Sequence, residues 1–167
     1  FSSLALLALV IWHSANPTAS FVYLFHILEA VVLAVVMVSA VKDSKPLLAL
    51  WLGGVVQGAF AVQQFLTQHI SADKWFGLAE QDAGQLGTSV IEFGDERWLR
   101  AYGSFGSPNS LGIYLAALLI LGLILYLKAE NQKIKLLITI GQILIASGLV
   151  FSFSRGAWLA ALAGCIC

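Results

Sequence analysis

The sequence predicts an all-α protein, a polytopic transmembrane helix bundle with one long interfacial loop on the outer face of the membrane. Composition points to this class, because 59% of the residues are hydrophobic and only 11% are charged. The mean hydropathy is +0.88, and a soluble domain could not bury that much apolar surface. Several apolar runs also approach the roughly 20 residues that a helix needs to cross a hydrocarbon core of about 30 Å.

The apolar runs divide the chain into spans joined by two short basic connections and one long loop. Both ends fall inside apolar runs and the first residue is not Met, so we interpret the chain as a single transmembrane region of a longer protein. The outer loop covers 67–109. The predicted spans are 1–12 and 157–167, which are partial, and 21–41, 47–66, 110–127 and 136–151.

Lysine residues set the predicted orientation of these spans. By the positive-inside rule, short connections rich in lysine face the cytoplasm. Alternation of the spans then places the long loop and the turn at 152–156 together on the outer face, with membrane lipids around the helices. Five of the nine basic residues lie in the two short connections: Lys42, Lys45, Lys128, Lys133 and Lys135.

The segment from Arg100 to Gly112 departs most from plain membrane helix. Ser107 is a good N-cap and Pro108 suits the first helical position, so we expect a helix to begin here and run inward. The amides at such a helix start attract phosphate. Gly103 and Gly106 allow positive φ or the close approach of a ligand.

A second arginine lies at the outer end of the 136–151 span. Arginine at membrane depth usually has a partner, and its guanidinium binds phosphate oxygens in a bidentate fork. If both outer edges share one membrane face, Arg100 and Arg155 can converge on one anionic ligand. The alternative is that Arg155 is a snorkelling anchor at the interface and Arg100 a contact to lipid headgroups.

These two stretches, Arg100–Gly112 and Ser154–Trp158, resemble the two best-marked motifs of the O-antigen ligase and polymerase superfamily. Its members are bacterial polytopic membrane glycosyltransferases, and helix order agrees over most of the chain. The resemblance implies a GT-C-like fold in the bacterial cytoplasmic (inner) membrane. It also implies transfer of a glycan from an undecaprenyl-diphosphate carrier to a lipid, glycan or protein acceptor on the outer face.

The same resemblance assigns residues. It implies that Arg100 and Arg155 hold the diphosphate and that arginine replaces the metal many soluble glycosyltransferases use, so neither metal nor cofactor is expected. The supporting loop positions are Gly103, Gly106, Ser107, Pro108, Asn109, Ser154 and Gly156. Many members have histidine where this chain has Ser107, and the outer loop that supplies a catalytic histidine in the ligase branch would follow Cys167. The catalytic base therefore stays unknown, and we do not assign that role to His69.

Other polar and small residues allow plainer interpretations. Gln57, Gln63 and Gln64 are expected to bond a neighbouring helix, although a sugar would also suit them. Small residues four or seven apart predict close helix packing at Gly54 with Gly58 and at Gly141 with Gly148.

Two other functions are compatible with these residues. In a transporter or exporter without chemistry, the two arginines would select anions and the pair His26 and Glu29 would couple to protons. In the weaker alternative the chain is a scaffold subunit of an envelope assembly. No Walker loop, nucleotide fingerprint or basic patch occurs, so no nucleic-acid partner is expected.

Overall fold

The computed structural model describes residues 44–75 and 78–166, which lie almost entirely within one compact unit, Leu47–Cys167. The predicted spans at 1–12 and 21–41 and the His26 and Glu29 pair lie outside the described residues. The described part is mostly helical. Its helices are α1 (Ser44–Thr67), α2 (Pro108–Lys128), α3 (Gln132–Phe151) and α4 (Arg155–Ile166).

Three of the described helices, α1, α2 and α3, are long and apolar enough to cross a membrane. They contain the spans predicted at 47–66, 110–127 and 136–151, and each begins a few residues earlier. For α2 and α3 the reason is that Ser107 and Asn131 cap these helices before the apolar runs begin. Exposed Leu and Ile side chains on these helices are what lipid-facing surfaces require. The chain is therefore a membrane protein.

The expectation of an all-α fold is wrong in the outer loop. The loop holds two antiparallel hairpins, β1 (His69–Ile70) with β2 (Gln81–Asp82), and β3 (Val90–Phe93) with β4 (Glu96–Leu99). Outside the helices, backbone N–H and C=O groups still need partners, and strand pairing supplies them. The second hairpin turns through Gly94, whose φ of 65° suits a tight two-residue turn.

Glycines let α1 approach α2 and α3 closely, as the small-residue spacing predicts, and a Cβ atom added at Gly54 would collide with the Leu118 side chain of α2. A Cβ atom added at Gly58 would lie 2.6 Å from the Leu144 carbonyl oxygen, and one added at Gly148 would lie 2.9 Å from Gly58 Cα. The helix backbones are thus in direct contact, which is how helices associate inside a membrane. The buried core beside this contact includes Trp51, Ala61, Leu111, Leu115, Leu118 and Ile145.

One polar side chain, that of Gln142, ties the three long helices together within the bundle. Gln142 Oε1 on α3 accepts a hydrogen bond of 3.1 Å from Trp51 Nε1 on α1. Gln142 Nε2 donates to the Leu119 carbonyl oxygen on α2 at 2.7 Å. Such contacts add roughly 0.6 kcal/mol each in membrane bundles, so their main effect here is to align the helices.

Candidate functional site

The two arginine motifs meet at the C-terminal end of α3. Ala101 N donates to the Phe151 carbonyl oxygen at 3.0 Å, and Arg100 donates to the carbonyl oxygen of the C-cap residue Ser152. The last carbonyls of a helix have no partner inside the helix. The loop after β4 supplies those partners, so the two motifs are in direct contact.

Arg100 is held by three hydrogen bonds. Its Nε and Nη2 atoms donate to Ser152 O at 2.9 and 2.7 Å, and Nη2 also donates to Asn109 Oδ1 at 2.8 Å. The negative end of the α3 dipole favours a cation at this position. Burial lowers the pKa of Arg100, an effect that the nearby Tyr102 opposes, and a guanidinium stays charged at neutral pH even so.

Arg155 has a different environment. It is the first residue of α4 and is exposed. Among the residues that the structure describes, no side chain or carbonyl bonds its guanidinium. The flanking Ser154 is buried, and its backbone N–H donates to Ser152 Oγ at 3.3 Å, whereas a Cβ atom added at Gly156 would meet open space. The turn is thus packed against the protein at Ser154 and exposed at Arg155 and Gly156.

Gly112 explains how α2 packs against this turn. A Cβ atom added at Gly112 would lie 2.6 Å from Ser154 Cβ, 2.9 Å from Ser152 Oγ and 3.1 Å from Ala157 Cβ. Any side chain here would push the Ser-Arg-Gly turn away from α2. The glycine that ends the first motif therefore allows the second motif to dock beside it.

The start of α2 has the geometry that the sequence predicts. Ser107 is the N-cap, with φ of −150°, and its hydroxyl accepts from Ser110 N at 3.2 Å, while Pro108 occupies the first turn. Gly103 has a φ of 57° and is buried, but Gly106 has no positive φ and is exposed. Gly103 thus allows the positive φ that the local backbone requires, and the open surface at Gly106 leaves room for a ligand.

Two glutamines on α1 hold the segment from Arg100 to Ser107, the motif loop, in place. The prediction that these glutamines bond a neighbouring helix missed this role. Gln57 Oε1 accepts from Ser104 N at 2.9 Å, and Gln57 Nε2 donates to Ser104 Oγ at 2.7 Å. Gln64 makes similar bonds to Tyr102 and Gly103. The signal was their spacing of about two helical turns, which puts both amides on one face of α1. Gln63, on another face, makes no such bond to the loop.

A cleft of about 240 Å³ opens where the two motifs meet. Its polar side is formed by Arg100, Arg155 and Asn109. Strand β3, the first strand of the second hairpin, adds an apolar wall. The full lining is Val90, Ile91, Arg100, Asn109, Phe153, Arg155 and Trp158. Such a cleft can bind a ligand with an anionic group and an adjoining apolar part, because cations and apolar side chains stand side by side.

Phe153 has an unusual backbone conformation at the edge of this cleft. Its φ is 48°, in the left-handed region that a non-glycine residue rarely adopts. Its ring lies 5.8 Å from that of Phe65 and 6.1 Å from that of Trp158, and Phe65 also stacks on Phe151 at 4.3 Å. Ring packing of this kind offsets the backbone cost, and it directs the chain from α3 into α4.

His69 lies outside the cleft. On β1 it pairs with Asp82 of β2, with 3.6 Å between Nδ1 and Oδ2, and both side chains are about half exposed. Within residues 44–75 and 78–166, no group of three or more His, Cys, Asp or Glu side chains is placed to hold a metal ion.

No family model, curated protein or solved structure matches this chain. The resemblance to the O-antigen ligase and polymerase superfamily accordingly stays a prediction, which rests on the two arginine motifs. The contacts described above concern the same two motifs and are independent of that resemblance.

Proposed function

We propose that this chain is part of a membrane glycosyltransferase of the O-antigen ligase or polymerase type. It would transfer or polymerise a glycan carried on undecaprenyl diphosphate, at the outer face of the bacterial cytoplasmic membrane, within a GT-C-like helix arrangement. The acceptor would be a lipid, a glycan or a protein.

The observation that carries this proposal is the shared cleft of Arg100 and Arg155. The two residues are far apart in the sequence, yet both line one opening whose other walls are apolar. A lipid-linked diphosphate has the matching chemistry, since its charge lies next to an isoprenoid chain. A soluble anion would gain nothing from the rings of Phe153 and Trp158.

The reaction explains why cations are useful here. An acceptor hydroxyl attacks the anomeric carbon, the bond from that carbon to the diphosphate oxygen breaks, and the hydroxyl proton leaves to a base that we do not assign. Negative charge grows on the departing diphosphate. The positive charges of Arg100 and Arg155 in the cleft stabilise that growing charge, and so does the amino-terminal end of α2 beside Asn109.

The position of the cleft favours an enzyme over a transporter. The polar residues cluster at one end of α2, α3 and α4, where a lipid headgroup would be. An anion pathway would instead require polar groups or broken helices near the middle of the membrane. Helices α2 and α3 continue without such a break. Gln142 is a polar residue near the middle of α3, but it is bonded to Trp51 and to the Leu119 carbonyl oxygen and so belongs to the helix packing.

The proposal can be tested by transfer assays with the full-length protein and a lipid-linked glycan. Arg155→Ala should abolish transfer, and Arg155→Lys should largely do so because lysine lacks the bidentate fork. The control is Arg97→Ala, which removes an exposed arginine of β4 that does not line the cleft. Unchanged turnover in both Arg155 variants would refute the assignment.

A further inference from the structure

The hydrogen bonds of Arg100 leave it poorly placed to grip a phosphate. Arginine binds phosphate most strongly through two parallel N–H groups on one edge of the guanidinium. On the edge formed by Nε and Nη2, both atoms donate to Ser152 O. On the other edge, Nη2 also donates to Asn109 Oδ1. While these bonds persist, neither edge is free for a two-bond fork, and only Nη1 is left to donate single hydrogen bonds.

Arg155 has the complementary property. It is exposed at the start of α4, and no described residue accepts a hydrogen bond from it. Both edges of its guanidinium are therefore free to form the fork. It also lines the same cleft as Arg100.

Asn109 adds a neutral donor between the two arginines. Because Arg100 can only donate, the atom of Asn109 that it contacts must be the oxygen, which fixes the orientation of the amide. The Nδ2 atom, with two N–H groups, is then left without a partner among the described residues, and Asn109 is exposed in the cleft.

We infer that the two arginines divide the work: Arg155 and the Asn109 amide N–H groups contact the diphosphate, and Arg100 is a positioning residue. Arg100 orients Asn109 and ties the Ser152 turn that carries Arg155 to the motif loop. This inference rests on the proposed function, since it concerns the same cleft and ligand class.

The test uses the full chain in detergent and farnesyl diphosphate as the probe, with farnesol as the uncharged comparison. Arg155→Gln should weaken diphosphate binding by about tenfold or more, because a charge-assisted contact to the ligand is lost. Farnesol binding should stay unchanged, since farnesol carries no charge. The melting temperature should also stay unchanged, because Arg155 is exposed. Arg100→Gln should also weaken diphosphate binding, but it should lower the melting temperature as well, since Ser152 O loses its partner.

A double-mutant cycle separates positioning from direct contact. If Arg100 acts partly through Asn109, then Arg100→Gln should weaken diphosphate affinity less in an Asn109→Ala background than in the wild-type protein. Asn109→Asp supplies a second check. Its carboxylate keeps the bond to Arg100, and hence the melting temperature, but it replaces both N–H donors by a negative charge that repels the ligand, so it should abolish diphosphate binding. Arg97→Gln is the matched control and should change none of these values.

Several outcomes would overturn the inference. It fails if Arg100→Gln and Asn109→Ala have additive effects on diphosphate affinity, or if Arg155→Gln leaves that affinity unchanged while Arg100→Gln removes it at constant melting temperature. A wild-type protein that binds farnesyl diphosphate no better than farnesol would instead refute the proposed function itself, and the inference with it.

Discussion

Gln64 and Gly103 exchange a pair of hydrogen bonds as two strands of a sheet would. The side-chain Nε2 of Gln64 donates to the Gly103 carbonyl oxygen at 2.8 Å, and its Oε1 accepts from Gly103 N at 2.8 Å and from Tyr102 N at 3.0 Å. Gln64 itself is only 4% exposed. One buried amide on α1 thus satisfies three backbone groups of the loop that carries the first arginine motif.

Gln64→Leu should therefore destabilise the protein strongly. Leucine has a similar volume but leaves two N–H groups and one carbonyl oxygen without partners, at a cost of about 3 kcal/mol. Thermal unfolding of the purified protein in detergent measures the effect. The control is Gln63→Leu, which changes the exposed neighbouring glutamine and should shift stability by less than about 0.5 kcal/mol. Equal effects of both variants would contradict the role given to Gln64.

Gly112→Ala should separate α2 from the Ser-Arg-Gly turn. The added methyl group would meet Ser154 Cβ at 2.6 Å, and overpacking of this kind costs about 1–3 kcal/mol. Because the turn carries Arg155, binding of a prenyl diphosphate should fall in the same variant. Gly156→Ala is the matched control, since open space surrounds that position. If Gly112→Ala is as stable as Gly156→Ala, the close approach is not required.

Replacement of Phe153 should show that its backbone conformation is strained. Both Phe153→Ala and Phe153→Gly remove the ring and its contacts with Phe65 and Trp158. Only glycine adopts a φ of 48° freely, so the glycine variant should be more stable than the alanine variant by about 1 kcal/mol. Chemical or thermal denaturation of the two variants side by side gives this difference. An alanine variant of equal or greater stability would show that the strain is absent.

The predicted orientation in the membrane can be tested by cysteine labelling in a variant without Cys165 and Cys167. Gln85→Cys lies in an exposed turn of the outer loop, and Glu130→Cys lies in the exposed connection between α2 and α3. In intact cells, a thiol reagent that does not cross membranes should label the first and spare the second. Labelling of position 130 alone would reverse the assigned sides.

The two hairpins of the outer loop were not predicted from the sequence. Val90–Phe93 and Glu96–Leu99 flank Gly94 and Asp95, a two-residue spacing that is typical of a tight hairpin turn. The strands are short and mix charged with aromatic residues, so the periodic signal was weak beside that of the apolar helices. Aromatic residues are also typical of segments at the membrane interface, so they did not indicate strands specifically. Local turn chemistry was the signal that could have predicted the strands.

The partners of Gln57, Gln64 and Arg100 could not be predicted in the same way. Each bonds backbone atoms of a segment distant in the chain, at Ser104, Gly103 and Ser152 respectively. Backbone groups are present at every residue, so no sequence pattern marks which of them will be the partner. The cap at Ser107 could be predicted because its partner Ser110 is a near neighbour in the chain. The cap at Asn131 was not predicted, although its partner Lys133 is equally local.

By itself, the sequence determined the long apolar helices, the start of α2 at Ser107 and Pro108, and the close packing at Gly54 and Gly58. These features depend on hydropathy, on local capping and on side-chain size, all of which are readable along the chain. Tertiary structure alone decided that Arg100 caps the end of α3 while Arg155 stays free. The two side chains are identical, and their roles differ because the fold brings unpaired backbone carbonyl groups within reach of Arg100 but not of Arg155.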